Sequence, residues 1–281
     1  MLHRLWRIPT LIGLLFAGLA TVFLVFPCVR ARHRECLIAQ WSRALLRACG
    51  TRVVERRAEG VPALMQTDTQ GCLLLANHVS WLDIFAIDSL APASFVAKSE
   101  IAAWPLAGTL VARAGTLFVE RGRRHAVHAA VRLLAERLRS GARGAVFPEG
   151  TTSDGRRLLP FHGNLVQAAL DVPCPMVPLG IRYLDVHGRP SEVAPFVGEQ
   201  TFLQSLWRIT GTSALVVELH VLPAIPYTPG LRRQHAAQRA RGAIAQALGL
   251  PMDDRLPEIF SAQRAQSPAA ARPDGRPDAR Q

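Results

Sequence analysis

Cys72-Leu73-Leu74-Leu75-Ala76 is an unbroken apolar run, and a run this short that ends abruptly in polar residues reads as a buried strand. Asn77-His78-Val79-Ser80-Trp81-Leu82-Asp83 follows at once, and Ile84-Phe85-Ala86-Ile87 then reads as the start of a helix. A buried strand leading through a short turn into a helix commits the chain to layers of helix on sheet. The same alternation recurs. Strands are expected at Arg52–Glu55, Ser94–Ala97, Ala114–Val119, Ala145–Phe147, Met176–Tyr183 and Ala214–Leu222. Helices are expected at His125–Arg139, Gly163–Asp171 and Arg232–Leu248. In the first of these Val127, Val131, Leu134 and Leu138 line one face, and Gly141 stops it. The pattern predicts an α/β fold with a mostly buried mixed sheet flanked by helices.

A second constraint sits near the start. Ile8 to Val29 carries no charge, and Arg4, Arg7, Arg30, Arg32 and Arg34 bound it. The segment is long enough for a membrane span or a deeply inserted anchor. A cleaved signal peptide competes with that reading, but the apolar stretch is longer than the usual h-region and only Val29-Arg30-Ala31 follows. Arginine is denser after the segment, which predicts a catalytic domain on the cytoplasmic face of the inner membrane. Glu35–Cys49 predicts a second helix. Leu37, Trp41, Leu45 and Ala48 share one face, and Gly50 stands at its stop. That apolar face fits either the membrane interface, with Trp41 at head-group level, or the protein core. Residues 263–281 hold little apolar content and are expected to be a disordered tail.

The net charge is +12, and Lys98 is the only lysine among many arginines. A basic surface suits anionic lipid head groups or an acidic carrier protein. Nucleic acid fits poorly, because aromatics make up 6% of the chain and none interleave with a basic stretch. The five cysteines, at 28, 36, 49, 72 and 174, have neither zinc nor redox spacing, so reduced thiols are expected.

His78 stands at the strand-to-helix turn, where Ser80 is a candidate N-cap with Asp83 three residues on. The turn brings the His78 side chain back toward Asp83. An imidazole held by a carboxylate on one nitrogen keeps the other as a general base for a substrate hydroxyl. Alone, the pair also fits a helix cap beside a turn residue. Of the nine histidines, His78 alone has Asp five residues later; His187 has Glu192 but lies in a Gly-Pro-rich loop.

Three more stretches stand out. Gly115-Thr116-Leu117-Phe118-Val119-Glu120-Arg121 places a guanidinium at a strand end, where it suits phosphate or carboxylate. Phe147-Pro148-Glu149-Gly150-Thr151-Thr152-Ser153-Asp154-Gly155 is a turn followed by small hydroxyl residues whose N–H groups can hold an anion or fix Glu149 over a pocket. Val177-Pro178 puts a proline in a strand, which points to an edge or a bulge. The nucleophile elbow, the paired-histidine zinc motif, the P-loop and the dinucleotide fingerprint are absent.

Taken in order, Asn77-His78-x4-Asp83, Gly115-x2-Phe118-Val119-Glu120-Arg121, Phe147-Pro148-Glu149-Gly150-Thr151 and Val177-Pro178 resemble the glycerolipid (lysophospholipid) acyltransferase family. Lys98-Ser99-Glu100-Ile101 with Trp104-Pro105 and Gly108 resembles the family's connecting segment, and the likeness runs from about residue 35 to 225. With the apolar segment before it and the polar tail after it, the expected organisation is a membrane anchor over 1–34 and a single acyltransferase domain over 35–262. The likeness implies that His78 is the base, oriented by Asp83, and that Asn77, Lys98, Arg121, Phe147, Pro148, Glu149, Gly150 and Thr151 bind substrate. The acceptor it implies is lysophosphatidic acid, with an acyl-carrier-protein or coenzyme A thioester as co-substrate. No cofactor or metal is expected, and the partners are membrane lipids, the acyl thioester and the lysophospholipid. One departure bears on the acceptor: many relatives carry Arg where this chain has Thr152, with Arg156 and Arg157 as candidate replacements. Lyso-ornithine lipid, which has no phosphate, is the alternative acceptor. An idle lipid-binding membrane protein is the alternative outside enzymes.

Overall fold

The computed structural model describes residues 2–66, 71–119 and 124–254. Helix α1, Leu2–Ala20, continues through irregular turns to Cys28, and α2 spans Ala31–Ala48. Then come β1 Thr51–Arg57, β2 Cys72–Ala76, α3 Leu82–Leu90, β3 Ser94–Lys98, α4 Ser99–Ala102, α5 Ala107–Arg113 and β4 Leu117–Val119. The chain goes on through α6 Arg124–Arg139, β5 Arg143–Val146, α7 Gln167–Asp171, β6 Met176–Leu184, α8 Phe202–Gly211, β7 Leu215–Val221 and α9 Arg233–Leu248. The strands form one mixed sheet in the order β1-β7-β6-β2-β5-β3-β4. From β6 to β4 all neighbours are parallel, β7 runs antiparallel to β6, and β1 is parallel to β7.

β2 explains its own sequence. It lies between β5 and β6, with Leu75 paired to Val146 on one side and Pro178 on the other. Leu74 points into the layer formed with α2 and α3, and Leu73 and Leu75 point into the layer formed with α6 and α9. Both faces are covered, so no position tolerates a polar residue. Leu74 is fully buried, and Leu74→Ala is expected to cost about 2–5 kcal/mol.

Several expectations change. The Gly163–Asp171 helix shrinks to α7, because Gly163 lies against the backbone of Arg233 and its N–H donates to Gln234. The strand expected from Ala114 starts only at Leu117, after Gly115 turns the chain at φ +104°. Pro178 is not at an edge: β6 is interior. Its carbonyl accepts from Leu222 N–H, so its missing donor faces the place where β7 leaves the sheet and no ladder bond is lost. Helix α8 was not expected, although Thr201 and Gln204 form a full capping box at its start. The tail at 263–281 lies outside the described residues.

α1 and α2 pack against each other. The Trp41 indole N–H donates to the Leu14 carbonyl at 2.8 Å, and Trp41 also meets Phe85 of α3 with ring centroids 5.7 Å apart. Of the two settings open to the apolar face of α2, the structure shows the inner one, with Leu45, Leu46 and Ala48 buried. At the other end Arg7 is buried, and its guanidinium donates to the carbonyls of Thr210, Thr212 and Ser213. A cation at the carbonyl end of α8 suits the helix dipole there. α1 therefore leaves from the domain, and α2 returns to it. Leu2–Cys28 is the one helix among the described residues long and apolar enough to cross a membrane.

Candidate active site

The parallel block decides where the motifs meet. β2, β5, β3 and β4 are neighbours running the same way, so the residues after each strand emerge along one edge of the sheet. Asn77–Asp83 follows β2, Phe147–Thr151 follows β5, and Lys98 ends β3 beside Val119 of β4. Ligand sites of open α/β sheets form at such an edge. Arg121 follows β4 in sequence but lies outside the described residues.

His78 and Asp83 meet as expected. His78 Nδ1 lies 2.8 Å from Asp83 Oδ2. The same oxygen accepts from the N–H groups of Val79 at 2.8 Å and Ser80 at 3.0 Å. Half of the expected capping box is present, then, with Asp83 reaching back to Ser80 N–H. The Ser80 hydroxyl instead meets Leu82 N–H at 3.4 Å, and Trp81 is the residue before α3. Asp83 is fully buried, and its Oδ1 accepts a 2.6 Å bond from the Tyr183 hydroxyl. Burial, followed by the Asp83 charge, pushes the Tyr183 phenol well above its ordinary value, so it stays a donor.

The imidazole is fixed in other ways too. Its ring stacks on Phe147 at 3.9 Å between centroids and 11° between planes, and Phe95 stacks behind Phe147. Its backbone is clamped by the loop after β5. Ser153 N–H and hydroxyl both donate to the His78 carbonyl, at 2.7 and 3.2 Å, and His78 N–H donates to Glu149 Oε2 at 3.4 Å. The His78 side chain keeps 19% exposure. Nε2, with no partner among the described residues, is the nitrogen open to a substrate.

The other expected residues divide. Asn77 is fully buried, and both ends of its amide are used on the backbone of Ile181, donating at 3.0 Å and accepting at 2.7 Å. It extends the β2–β6 ladder by one side chain, so the expected substrate contact is corrected to positioning. Phe147 holds the ring of His78. Pro148 is buried, with its carbonyl accepting from His162, and Gly150 closes the turn at φ +72° by donating to Phe147. Thr151 is half-buried on that loop. Glu149 is buried, and among the described residues its Oε1 has no hydrogen-bond partner. Burial holds its carboxyl well above the ordinary range, against the N–H groups of His78 and Leu159, and the Asp83 charge adds to the rise. Thr152 donates its hydroxyl to the Phe196 carbonyl. Arg156 pairs with Glu192 at 3.1 Å and Arg157 with Asp253 at 3.1 Å.

The sequence reading missed Tyr183, Ser153 and Phe95. Tyr183 comes from β6, a hundred residues from Asp83. The signal for it was the one tyrosine in a strand that is apolar except for Arg182.

The Acyltransferase family matches residues 52–182, which contain His78, Asp83 and the Phe147–Thr151 loop and stop one residue short of Tyr183. The chain is 39% identical over 215 residues to a lyso-ornithine lipid O-acyltransferase of Pseudomonas aeruginosa, spanning 76% of this chain and 79% of that one. The chain belongs to the acyltransferase family. This acyltransferase is also 33% identical over 238 residues to a lyso-ornithine lipid O-acyltransferase of Rhizobium meliloti, covering 80% and 77% of the two chains. A 1-acyl-sn-glycerol-3-phosphate acyltransferase of Neisseria gonorrhoeae is 38% identical over 149 residues, 53% of this acyltransferase and 58% of that protein. The crystal structure of PlsC, the 1-acyl-sn-glycerophosphate acyltransferase of Thermotoga maritima, has the same fold, with a TM-score of 0.63 at 18% identity over 88% of this chain and 96% of that one.

Proposed function

We propose that this acyltransferase moves an acyl chain from a carrier-protein or coenzyme A thioester to the free hydroxyl of lyso-ornithine lipid. In the reaction so read, Nε2 of His78 takes the acceptor's hydroxyl proton as the oxygen attacks the thioester carbonyl. Asp83 steadies the imidazolium on Nδ1. The tetrahedral intermediate then collapses, expels the thiolate and passes the proton to it. The thioester is already activated, so the residues present suffice for this path without a covalent enzyme intermediate.

One observation carries the choice of acceptor. Among the described residues, the loop after Glu149 turns its polar groups elsewhere: the Thr152 hydroxyl bonds to Phe196, and the cations Arg156 and Arg157 pair with Glu192 and Asp253. A phosphomonoester wants unengaged guanidinium groups. Lyso-ornithine lipid brings no phosphate. The names of the Pseudomonas and Rhizobium relatives support the same reading. Lysophosphatidic acid is the second reading, because Arg121 stands at the strand-end position that suits phosphate. The test is a rate comparison of purified protein on the two acceptors with one acyl thioester. Faster transfer to lysophosphatidic acid would reverse the assignment, and no hydroxyl-dependent turnover on either would favour the idle lipid-binding alternative.

The exposed side of α1 carries Leu2, Leu5, Trp6, Ile12 and Phe16. We infer that the α1–α2 hairpin inserts into the cytoplasmic leaflet of the inner membrane without crossing it. The latch of Arg7 onto α8 and the return of α2 to the domain support that reading.

A further inference from the structure

α8 has a face that the protein leaves bare. Leu203 is 72% exposed and Trp207 54%, one helical turn apart on the outer side. Ser205 and Ile209 fill the inner side. Beside them Trp104 is 40% and Leu106 47% exposed, in the segment between α4 and α5. Leu106 also holds φ at +62°, the one non-glycine residue among those described with positive φ. A leucine in that backbone region is strained, and this strain presents an apolar side chain to the outside.

These residues are joined to the site by rings. Trp104 meets Phe202 at 5.1 Å between centroids, and Phe202 meets Trp81 at 5.1 Å. The Trp81 indole N–H donates to Ser205, which ties the turn between His78 and Asp83 to α8. On its other flank α8 packs on α1, where Arg4 lies over the Trp207 ring at 4.3 Å and donates to the Trp207 carbonyl. A cavity of about 460 Å³ opens beside Trp207 and Arg208.

We propose that this α8 face, with Trp104 and Leu106, is a second membrane-contacting surface that takes the lyso-lipid acceptor from the leaflet toward His78. Its occupant is a lipid leaflet, because the face continues the bare apolar side of α1, which lies against α8. Trp207 with Arg4 and Arg208 at its rim has the composition of a head-group boundary. Leu203, Trp104 and Leu106 supply the apolar contact. The Trp104–Phe202–Trp81 rings form an apolar path from that contact to the catalytic turn, so an acceptor need not leave the bilayer fully to be acylated. The transport role rests on the proposed lipid acceptor; the membrane contact does not.

The full chain, bound to phosphatidylethanolamine and phosphatidylglycerol vesicles, tests both. Vesicles with brominated acyl chains should quench the tryptophan emission, and Trp207→Phe and Trp104→Phe should each remove part of that quenching. Emission from these two positions that is quenched by aqueous acrylamide and not by brominated lipid would overturn the contact, whatever the enzyme acylates. In the kinetic arm, Leu203→Glu should lower transfer to a long-chain lyso-lipid in vesicles about tenfold. It should leave transfer to a short-chain, monomeric acceptor within about twofold. Leu203→Ser should do the same more weakly. An equal effect on the two acceptors, or no effect on either, would overturn the transport role.

Discussion

The Tyr183 hydroxyl binds Asp83 Oδ1 at 2.6 Å, on the oxygen opposite the one that holds His78. That bond fixes which carboxylate oxygen faces the imidazole. Removing it leaves a buried oxygen unsatisfied, a loss of about 1–3 kcal/mol. Tyr183→Phe should lower kcat about tenfold while both KM values stay within twofold, because Tyr183 acts through Asp83. Steady-state kinetics beside a thermal melt decides this. If kcat per folded molecule is unchanged, Tyr183 only packs the core.

His78→Ala removes the base. Turnover should fall by roughly two to four orders of magnitude. The melting temperature should stay near that of the parent, since the side chain is partly exposed and Asp83 keeps its bonds to Val79 and Ser80. Near-normal turnover would remove His78 from the chemistry.

Glu149 is expected to be a neutral acid in the resting enzyme, because burial holds its carboxyl well above the ordinary range. Glutamine copies that form and keeps an acceptor for His78 N–H. Glu149→Gln should therefore melt at or above the parent's temperature at pH 8 and keep transfer within about tenfold. A loss as deep as that of His78→Ala would show that an ionised carboxylate is required.

Asp88, near the end of α3, accepts from Ala93 N–H at 3.0 Å, and burial pushes its carboxyl up to about 8. The folded value lies above the unfolded one, so the native state holds the extra proton between them. Stability from this group is greatest below the ordinary carboxylate range and is lost as pH rises toward about 8. Asp88→Asn keeps the acceptor and removes the titration. Its melting temperature should gain on the parent's from pH 5 to about pH 8 and level off above that. A constant difference across that range would contradict the assignment.

Much of this was legible because local signals agreed. The β2 run, the α6 periodicity and the His78–Asp83 spacing each act within a few residues, and each predicts what the structure shows. What was not legible depends on pairs far apart in the chain. Nothing near Asn77 says that Ile181 will take its amide, and nothing near Asp83 says that Tyr183 will reach it. Both follow from β6 lying beside β2, a pairing that crosses more than a hundred residues. α8 is a different case: its capping box and its apolar period, Phe202 with Leu206 and Leu203 with Trp207, were both in the sequence, over only ten residues. The apolar face of α2 fitted lipid and core equally well, and only the position of α3 decided between them.

Thr152 tests the choice of acceptor. It follows Phe147-Pro148-Glu149-Gly150-Thr151, on the loop that clamps His78, and its hydroxyl binds the Phe196 carbonyl. Thr152→Arg would replace that bond with a guanidinium close to the catalytic turn. A charge-assisted contact to phosphate is worth about 1.5–3 kcal/mol, so transfer to lysophosphatidic acid should rise roughly ten- to a hundredfold if the head group passes there. On lyso-ornithine lipid, whose head group already carries an amine, the same charge should repel and slow transfer. The ratio of the two rates, in parent and variant, is therefore the quantity to measure. A ratio that moves toward lysophosphatidic acid supports a pocket that excludes phosphate through its lack of free charge. An unchanged ratio in a variant that still folds would mean that position 152 does not face the head group. Discrimination would then have to come from elsewhere, with Arg121 the first residue to substitute.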